Sequence, residues 1–148
     1  MELMQHLLQM EGLTVTFPTR RFLFPSTPVR AVDNAWLALD KGETLAIVGE
    51  SGSGKTTLGR ASLRLTPLAD GRVVYDGTDI SHMKERHLKW FRLRAQMVFQ
   101  DPYTSVDPFM NVYQLLEEPL VIHGQSDRKE RIDQALEDVQ LTPTKDYV

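Results

Sequence analysis

GESGSGKTT, at residues 49–57, is the stretch that decides the fold. It fits the pattern GxxxxGK[ST] at every fixed position. The short apolar run at 45–48 comes directly before it and is typical of a strand covered on both faces. From Lys55 onward, apolar residues recur at helical spacing. A buried strand, a glycine-rich turn and a helix form the context in which this pattern acts as a phosphate-binding loop.

The residue types of the loop suit the binding of nucleotide phosphates. Glycine at 49, 52 and 54 lets the backbone curl so that its N–H groups point at a phosphate, an approach that a Cβ atom would block. These groups meet a helix N-terminus, whose partial positive charge favours the same anion. We expect the Lys55 ammonium to reach the β- and γ-phosphate oxygens and the Thr56 hydroxyl to ligate Mg²⁺. The predicted binding residues are Gly49, Glu50, Ser51, Gly52, Ser53, Gly54, Lys55, Thr56 and Thr57.

Composition indicates one ordinary domain. The chain has 148 residues, with 17 Lys and Arg against 20 Asp and Glu, and no Cys. A chain of this length can bury a sizeable core, and the absence of Cys excludes disulfides and iron–sulfur clusters. Mild acidity argues against bulk binding of nucleic acid. No stretch approaches the roughly 20 apolar residues of a membrane span, and the N-terminus has no signal-peptide pattern, so we expect a soluble cytoplasmic chain.

The apolar periodicity predicts an α/β order of elements. Extended segments are predicted at 11–17, 29–39, 45–48 and 97–99. A hairpin or meander is predicted at 71–80, with Asp76-Gly77 as its turn. Helices are predicted from 55 until Pro67, from Ser81 as the cap to about 95, from Asn111 until Pro119 kinks or stops it, and near 127–139.

Two sequence features narrow the class of phosphate-loop protein. A GTPase would need a DxxG switch and an NKxD base-reading motif, and neither string occurs. RVVYD at 72–76 nearly matches a strand that ends in a metal-binding Asp, but it runs into Gly77, which favours a plain hairpin. Another phosphate-loop enzyme, such as a small-molecule kinase, stays open as an alternative.

Three separated motifs carry a family resemblance: GESGSGKTT at 49–57, GRVVYDGTDI at 71–80 and MVFQDPYTSVDPFMNV at 97–112. Together they resemble the ATP-binding subunits of ABC transporters, and the oligopeptide/dipeptide importer branch fits best. The resemblance runs from about residue 13 to residue 139. It implies an incomplete α/β domain: a P-loop NTPase core with an antiparallel β subdomain at 1–99, and the Q-loop with the start of a helical subdomain at 100–148.

The same resemblance implies roles for residues outside the phosphate loop. Gln100 corresponds to the Q-loop glutamine, which in the family reaches the Mg²⁺ and the attacking water. Lys55 and Gln100 are then the expected catalytic residues, and Thr56 and Gln100 the expected metal ligands. A glutamine directly after a parallel-type strand also lies at the carboxyl edge of the sheet, as the phosphate loop does. The family stacks an aromatic side chain on adenine, for which Phe24 is the first candidate and Phe22 the second.

The resemblance also implies a cellular role. The chain would be the ATP-binding subunit of a transporter that couples ATP hydrolysis to import of a solute, with a peptide as the expected solute. The implied cofactors are ATP and Mg²⁺. The implied partners are a second ATP-binding subunit, transmembrane permease subunits and, indirectly, a solute-binding protein, with no nucleic acid. Such a subunit would be cytoplasmic and peripheral on the inner face of the cell membrane.

Motifs that the family carries after the Q-loop do not occur in these 148 residues. They are an LSGGQ-type signature, a strand ending in Asp before a catalytic Glu, and a switch His. Glu117, Glu118 and His123 precede the place of the signature, so their order excludes them as substitutes. We therefore expect the N-terminal portion of a longer domain, truncated before the signature, that binds Mg-ATP without efficient hydrolysis. The alternative is a non-catalytic nucleotide-binding fragment.

A basic segment at 84–94 surrounds two aromatic residues, Trp90 and Phe91. Its cations are Lys84, Arg86, Lys89, Arg92 and Arg94. The spacing favours a solvated basic face with the aromatic side chains turned to the core, over a strip that binds nucleic acid. His82 and His87 are five residues apart and do not share a helix face, so no metal other than the nucleotide's Mg²⁺ is assigned.

Overall fold

The chain forms two compact units, Met1–Met97 and Val98–Val148, in a computed structural model that describes residues 6–18, 27–101 and 106–143. The first unit contains strands β1 (Leu8–Phe17), β2 (Val29–Leu39), β3 (Asp70–Tyr75) and β4 (Thr78–Asp79). It also contains helix α1 (Lys55–Ser62), a 3₁₀ helix (Glu85–His87) and helix α2 (Lys89–Arg92). The second unit contains helices α3 (Val112–Ile122) and α4 (Arg128–Asp138).

The four strands form one antiparallel sheet in the order β2-β1-β3-β4. β1 pairs with β2 on one side and with β3 on the other. Its core side chains are Met10, Leu13 and Val15. Met10 and Leu13 are three residues apart and still face the same side, because the strand pairing is irregular at Gly12, whose φ is +61°. The extended segments predicted at 11–17 and 29–39 are confirmed.

The predicted hairpin joins β3 to β4. Asp76 and Gly77 have φ values of +47° and +74°, the pair of positive angles of a type I′ turn, whose twist matches that of the strands. The Ile80 N–H then donates to the Val73 carbonyl at 2.9 Å. Residues 72–76 are therefore a hairpin strand and its turn, as their sequence favours.

The core of the first unit combines sheet residues with α1 and the segment that follows β4. Its buried members are Met10, Leu13, Val15, Val32, Ala61, Val73, Tyr75, Ile80, Leu88 and Phe91. The rings of Tyr75 and Phe91 meet edge to face with centroids 4.9 Å apart, and the Trp90 centroid lies 5.9 Å from that of Tyr75. The prediction that Trp90 and Phe91 turn toward the core is confirmed.

Two predicted strands are wrong. Residues 45–48 and 97–99 have no strand conformation, and Val48 and Val98 are 92% and 96% exposed. A parallel strand needs neighbouring strands for its hydrogen bonds and covering elements for its burial. No strand in the described ranges pairs with either segment. The apolar runs are therefore present without the neighbours that would order and bury them.

The helix predicted from Ser81 to about residue 95 is also wrong, since a 3₁₀ helix and the short α2 take its place. Ser81 cannot cap a helix because its hydroxyl serves β3. Its Oγ accepts from the Val73 N–H at 2.7 Å and donates to the Val73 carbonyl at 3.4 Å.

Helix α1 is shorter than the predicted helix, which extended until Pro67. It ends at Ser62 because Arg64 takes a left-handed φ of +55°, and Leu65 is left 46% exposed.

In the second unit, α3 begins with a capping box and packs against α4. The Asn111 side chain accepts from the Gln114 N–H at 2.9 Å, and the Gln114 side chain accepts from the Asn111 N–H at 2.9 Å. The helix predicted from Asn111 is thus confirmed. It continues through Pro119 to Ile122, so the proline does not stop it.

The burial of both helices is less complete than their periodicity predicts. Val112, Leu115 and Leu116 of α3 are half-buried. In α4, Ile132 and Leu136 are buried, whereas the backbone leaves the helix before Val139, which is 64% exposed. None of the helices in the described ranges combines the length and the hydropathy needed to cross a membrane.

Candidate functional site

The glycine-rich loop at 49–57 leads into α1 and needs glycine at particular positions. Gly52 and Gly54 have φ values of +81° and +92°, in the region that residues with a Cβ atom rarely adopt. A Cβ atom on Gly54 would lie 2.2 Å from the Ala31 carbonyl oxygen, and one on Gly49 would lie 2.9 Å from Ser53 Oγ. These glycines therefore allow both the turn and its close contact with β2.

Several backbone donors of the loop remain open for a ligand. The Ser53 N–H donates to Glu50 O at 3.2 Å, and the Leu58 N–H makes the first helical bond, to Gly54 O at 2.8 Å. Among the described residues, no acceptor pairs with the N–H groups of Gly52, Gly54, Lys55 and Thr56. The first N–H groups of a helix have no partner within it and carry the positive end of its dipole. This cradle can therefore bind an anion.

The Lys55 side chain folds back over the loop. Its Nζ donates to Gly49 O at 2.8 Å and to Glu50 O at 2.6 Å, and it lies 3.4 Å from Ser53 Oγ. The ammonium is thus centred on the same turn as the unpaired N–H groups. An ammonium has three donors on a flexible stem, so it can exchange these carbonyls for the oxygens of a phosphate.

The remaining loop residues are mostly exposed and include three with hydroxyl groups, Ser51, Thr56 and Thr57. Thr56 is exposed on the first turn of α1, and Thr57 is half-buried beside it. Glu50 and Ser51 are exposed. No group of three or more His, Asp or Glu side chains in the described ranges could hold a metal ion. The hydroxyl of Thr56 is an oxygen of the loop that could hold a cation together with a bound anion.

The other predicted site residues are not part of the glycine-rich loop. Gln100 belongs to the second unit, where it is exposed in a non-helical segment. Phe22 and Phe24, the candidates for stacking on adenine, lie outside the described residues.

Two residues that were not selected from the sequence contact the two ends of the segment formed by the loop and α1. Ala31 meets Gly54 through its backbone, which no side-chain pattern can indicate. Arg92, expected on a solvated face, donates to the carbonyls of Leu63 and Arg64 just after α1. The one available signal is its spacing of seven residues from Glu85, with which it pairs.

One protein-family model matches most of the chain. The family model described as ABC transporter matches residues 32–148, which include the glycine-rich loop, Gln100 and both helices of the second unit.

Curated relatives match over nearly the whole chain. Identity is 39% over 144 residues with the oligopeptide transport ATP-binding protein AppF of Bacillus subtilis, covering 93% of this chain and 44% of that protein. It is 44% over 142 residues with the glutathione import ATP-binding protein GsiA of Salmonella paratyphi A, covering 93% of this chain and 23% of that protein. The chain therefore spans less than half the length of these relatives.

A solved structure shares the fold. It is the dimeric, post-hydrolysis state of the ATP-binding cassette MJ0796 bound to ADP and Pi, with a TM-score of 0.74 and 22% identity over 94% of this chain and 61% of that one. The likeness confirms the predicted fold class, because the antiparallel sheet and helices described above are part of this cassette fold.

Proposed function

Since the chain belongs to the ABC transporter family, we propose that it is the ATP-binding part of a subunit that couples ATP hydrolysis to the import of a peptide. The observation that carries the proposal is the loop at 49–57, where unpaired N–H groups and the Lys55 ammonium converge on one turn. The names of the relatives, which refer to oligopeptide transport and glutathione import, support a peptide as the solute.

The residues present fit the phosphates of ATP. The unpaired N–H groups of Gly52, Gly54, Lys55 and Thr56 would hold phosphate oxygens, while the absence of a Cβ atom on Gly54 lets the loop lie against the Ala31 carbonyl. Lys55 would add charge at the β- and γ-phosphates, and the hydroxyl of Thr56 would ligate Mg²⁺. Bound Mg²⁺ neutralises charge on the phosphate oxygens. We propose Gln100 as a further ligand of the ion and Phe24 as the adenine contact, from the family motif.

We also propose that these 148 residues bind Mg-ATP without efficient hydrolysis. They contain no LSGGQ-type signature and no apolar strand ending in Asp-Glu. A positioned general base contributes about 10²–10⁴-fold to a rate, and the sequence offers none in the family's order. Binding relies on the loop and should persist, while water activation should be lost.

The proposed partners are those of an importer. A second ATP-binding subunit would face the nucleotide, in keeping with the dimeric state of the solved cassette. Transmembrane permease subunits would bind the complex at the inner face of the membrane, and a solute-binding protein would act through them. We propose residues 1–99 as the β subdomain with the P-loop core, and residues 100–148 as the Q-loop with the start of the helical subdomain.

Calorimetric titration with Mg-ATP tests the binding site. The comparison is between the wild-type chain, Lys55→Ala and the control Lys41→Ala, whose side chain is exposed in a turn away from the loop sequence. Lys55→Ala should weaken binding by about tenfold or more, or about 1.4 kcal/mol, and Lys41→Ala should not change it. Equal affinity of the wild-type chain and Lys55→Ala would refute the site.

Phosphate release tests the second half of the proposal. With saturating Mg-ATP, the wild-type chain should release phosphate no faster than Lys55→Ala does. A wild-type rate clearly above that background, and abolished by Lys55→Ala, would contradict the absence of turnover.

A further inference from the structure

Helix α1, which follows the phosphate loop, ends in a Schellman motif. The Arg64 N–H donates to Ala61 O at 2.9 Å, and the Leu65 N–H donates to Arg60 O at 2.8 Å. Arg64 itself has a φ of +55°, a position that glycine usually takes. The motif satisfies two helical carbonyls, but those of Leu63 and Arg64 receive no N–H from the helix.

Arg92 donates to both of these carbonyls. Its Nη1 donates to Leu63 O, and its Nη2 donates to Arg64 O at 3.3 Å. Two bonds from one planar guanidinium to consecutive carbonyls fix the orientation as well as the position of the helix end. The positive charge also lies at the negative end of the helix dipole.

Two neighbours hold the guanidinium in this place. Glu85 accepts from Arg92 Nε at 2.8 Å and from Nη2 at 3.2 Å. The guanidinium carbon lies 5.6 Å from the centroid of the buried Phe91 ring. The Arg92 side chain is only 21% exposed, whereas that of Glu85 is 71% exposed. Arg92 is therefore part of the packed structure, unlike the solvated cations around it.

The neighbouring arginines make other contacts. Arg86 donates to His87 at 3.0 Å, and Arg94 pairs with Asp76 at 3.6 Å. The Arg64 side chain donates to Ile80 O at 3.0 Å. Among the described residues, Arg92 is thus the arginine whose side chain binds the carbonyls at the end of α1.

We propose that Arg92 is a positioning residue for the phosphate loop and acts through α1. This inference rests on the nucleotide-binding function proposed above. α1 has eight residues, which is about 12 Å, so it transmits a displacement of one end to the other as a short rigid rod. Gly54 packs on Ala31 at the first end, and Arg92 holds the second. Together they keep the N–H groups of Lys55 and Thr56 in place for a phosphate.

The test compares Arg92→Met with Arg92→Lys and with the matched control Arg86→Met in the full chain. Calorimetry gives the Kd for Mg-ATP at a temperature where circular dichroism shows every variant fully folded, so that lower stability alone leaves the Kd unchanged. Amide hydrogen exchange of α1 provides a second measurement. Arg92→Met should weaken binding by about three- to tenfold and speed exchange in α1. Arg92→Lys should have a smaller effect of the same sign because it keeps the charge but loses the planar fork.

A Kd of Arg92→Met equal to that of the wild-type chain would overturn the inference, even if its melting temperature fell. The same loss in Arg86→Met would overturn it too, since Arg86 is exposed and its side chain donates to His87 and not to the carbonyls at the end of α1. If Arg92→Met fails to fold, Arg92→Lys decides, with unchanged affinity as the contrary result. Failure of the proposed function would look different, because the wild-type chain and Lys55→Ala would then bind Mg-ATP equally.

Discussion

The α-carbon of Gly54 faces the carbonyl oxygen of Ala31 so closely that an added Cβ atom would lie 2.2 Å from that oxygen. The phosphate loop is thereby seated directly on the backbone of β2. The contact links the loop to the antiparallel sheet without any side chain. Alanine at position 54, the smallest possible substitution, should therefore disrupt this contact.

Gly54→Ala is expected to damage both stability and nucleotide binding. Alanine is disfavoured at the φ of +92°, which costs about 1–3 kcal/mol, and its Cβ atom would overlap the Ala31 carbonyl. Urea unfolding should show a loss of at least this size, and the Kd for Mg-ATP should rise. A variant with wild-type stability and affinity would show that the loop does not take this conformation.

Gly59→Ala supplies the matched control and a prediction of opposite sign. Gly59 lies inside α1, and a Cβ atom there meets nothing within 4 Å. Alanine is favoured over glycine in a helix by about 0.5–1 kcal/mol, so the free energy of unfolding should increase by up to that amount. The Kd for Mg-ATP should stay unchanged. A destabilised variant would mean that this residue is not helical or that its α-carbon faces another residue closely.

Ser81→Ala should destabilise the fold more than the loss of a serine hydroxyl usually does. The hydroxyl is buried and accepts from the Val73 N–H at 2.7 Å, so its removal leaves a buried backbone donor without an acceptor. Such a loss costs about 1–3 kcal/mol. Ser62→Ala is the comparison, since its hydroxyl donates to Gly59 O and leaves no donor behind. Equal effects of the two substitutions in urea unfolding would contradict the account of Ser81.

The Glu85–Arg92 pair predicts a pH-dependent contribution to stability. The hydrogen bond from Arg92, aided by the charges of Arg92 and Arg64, lowers the pKa of Glu85. A carboxyl group whose pKa is lowered on folding stabilises above its unfolded pKa, and this contribution disappears as the pH falls through the folded value. Because Glu85 is mostly exposed, the effect should be below about 1 kcal/mol.

Comparing the wild-type chain with Glu85→Gln in urea at about pH 7 and about pH 3 measures this contribution. The difference in unfolding free energy should be larger at the higher pH and shrink at the lower one. A difference that grows on acidification has the wrong sign and would rule out the pairing.

Local signals in the sequence predict the hairpin and the start of helix α3, and they indicate why the phosphate loop needs its glycines. Asp76-Gly77 specifies its turn through backbone geometry alone, and the glycines of the loop do the same. Asn111 and Gln114 specify a helix start within four residues. In each case, the residues that determine the conformation are the residues that adopt it.

Longer-range features could not be predicted in the same way. The run at 45–48 has the composition of a buried parallel strand, but burial depends on neighbours that composition does not supply. Ser81 has the character of a helix cap, yet a strand backbone eight residues earlier uses its hydroxyl. The local pattern predicts that Arg92 is a surface cation, because the carbonyls that accept from it, those of Leu63 and Arg64, lie 29 and 28 positions earlier in the sequence.

The most direct test of the central claim, that the loop at 49–57 binds nucleotide phosphates, is an amide NMR titration of the chain with Mg-ATP. We predict saturable shifts in the ¹H–¹⁵N resonances of Gly52, Gly54, Lys55 and Thr56, whose N–H groups have no acceptor within the described residues. Lys55→Ala should weaken the same titration. Saturable shifts elsewhere in the chain, with these four resonances unmoved, would contradict the claim.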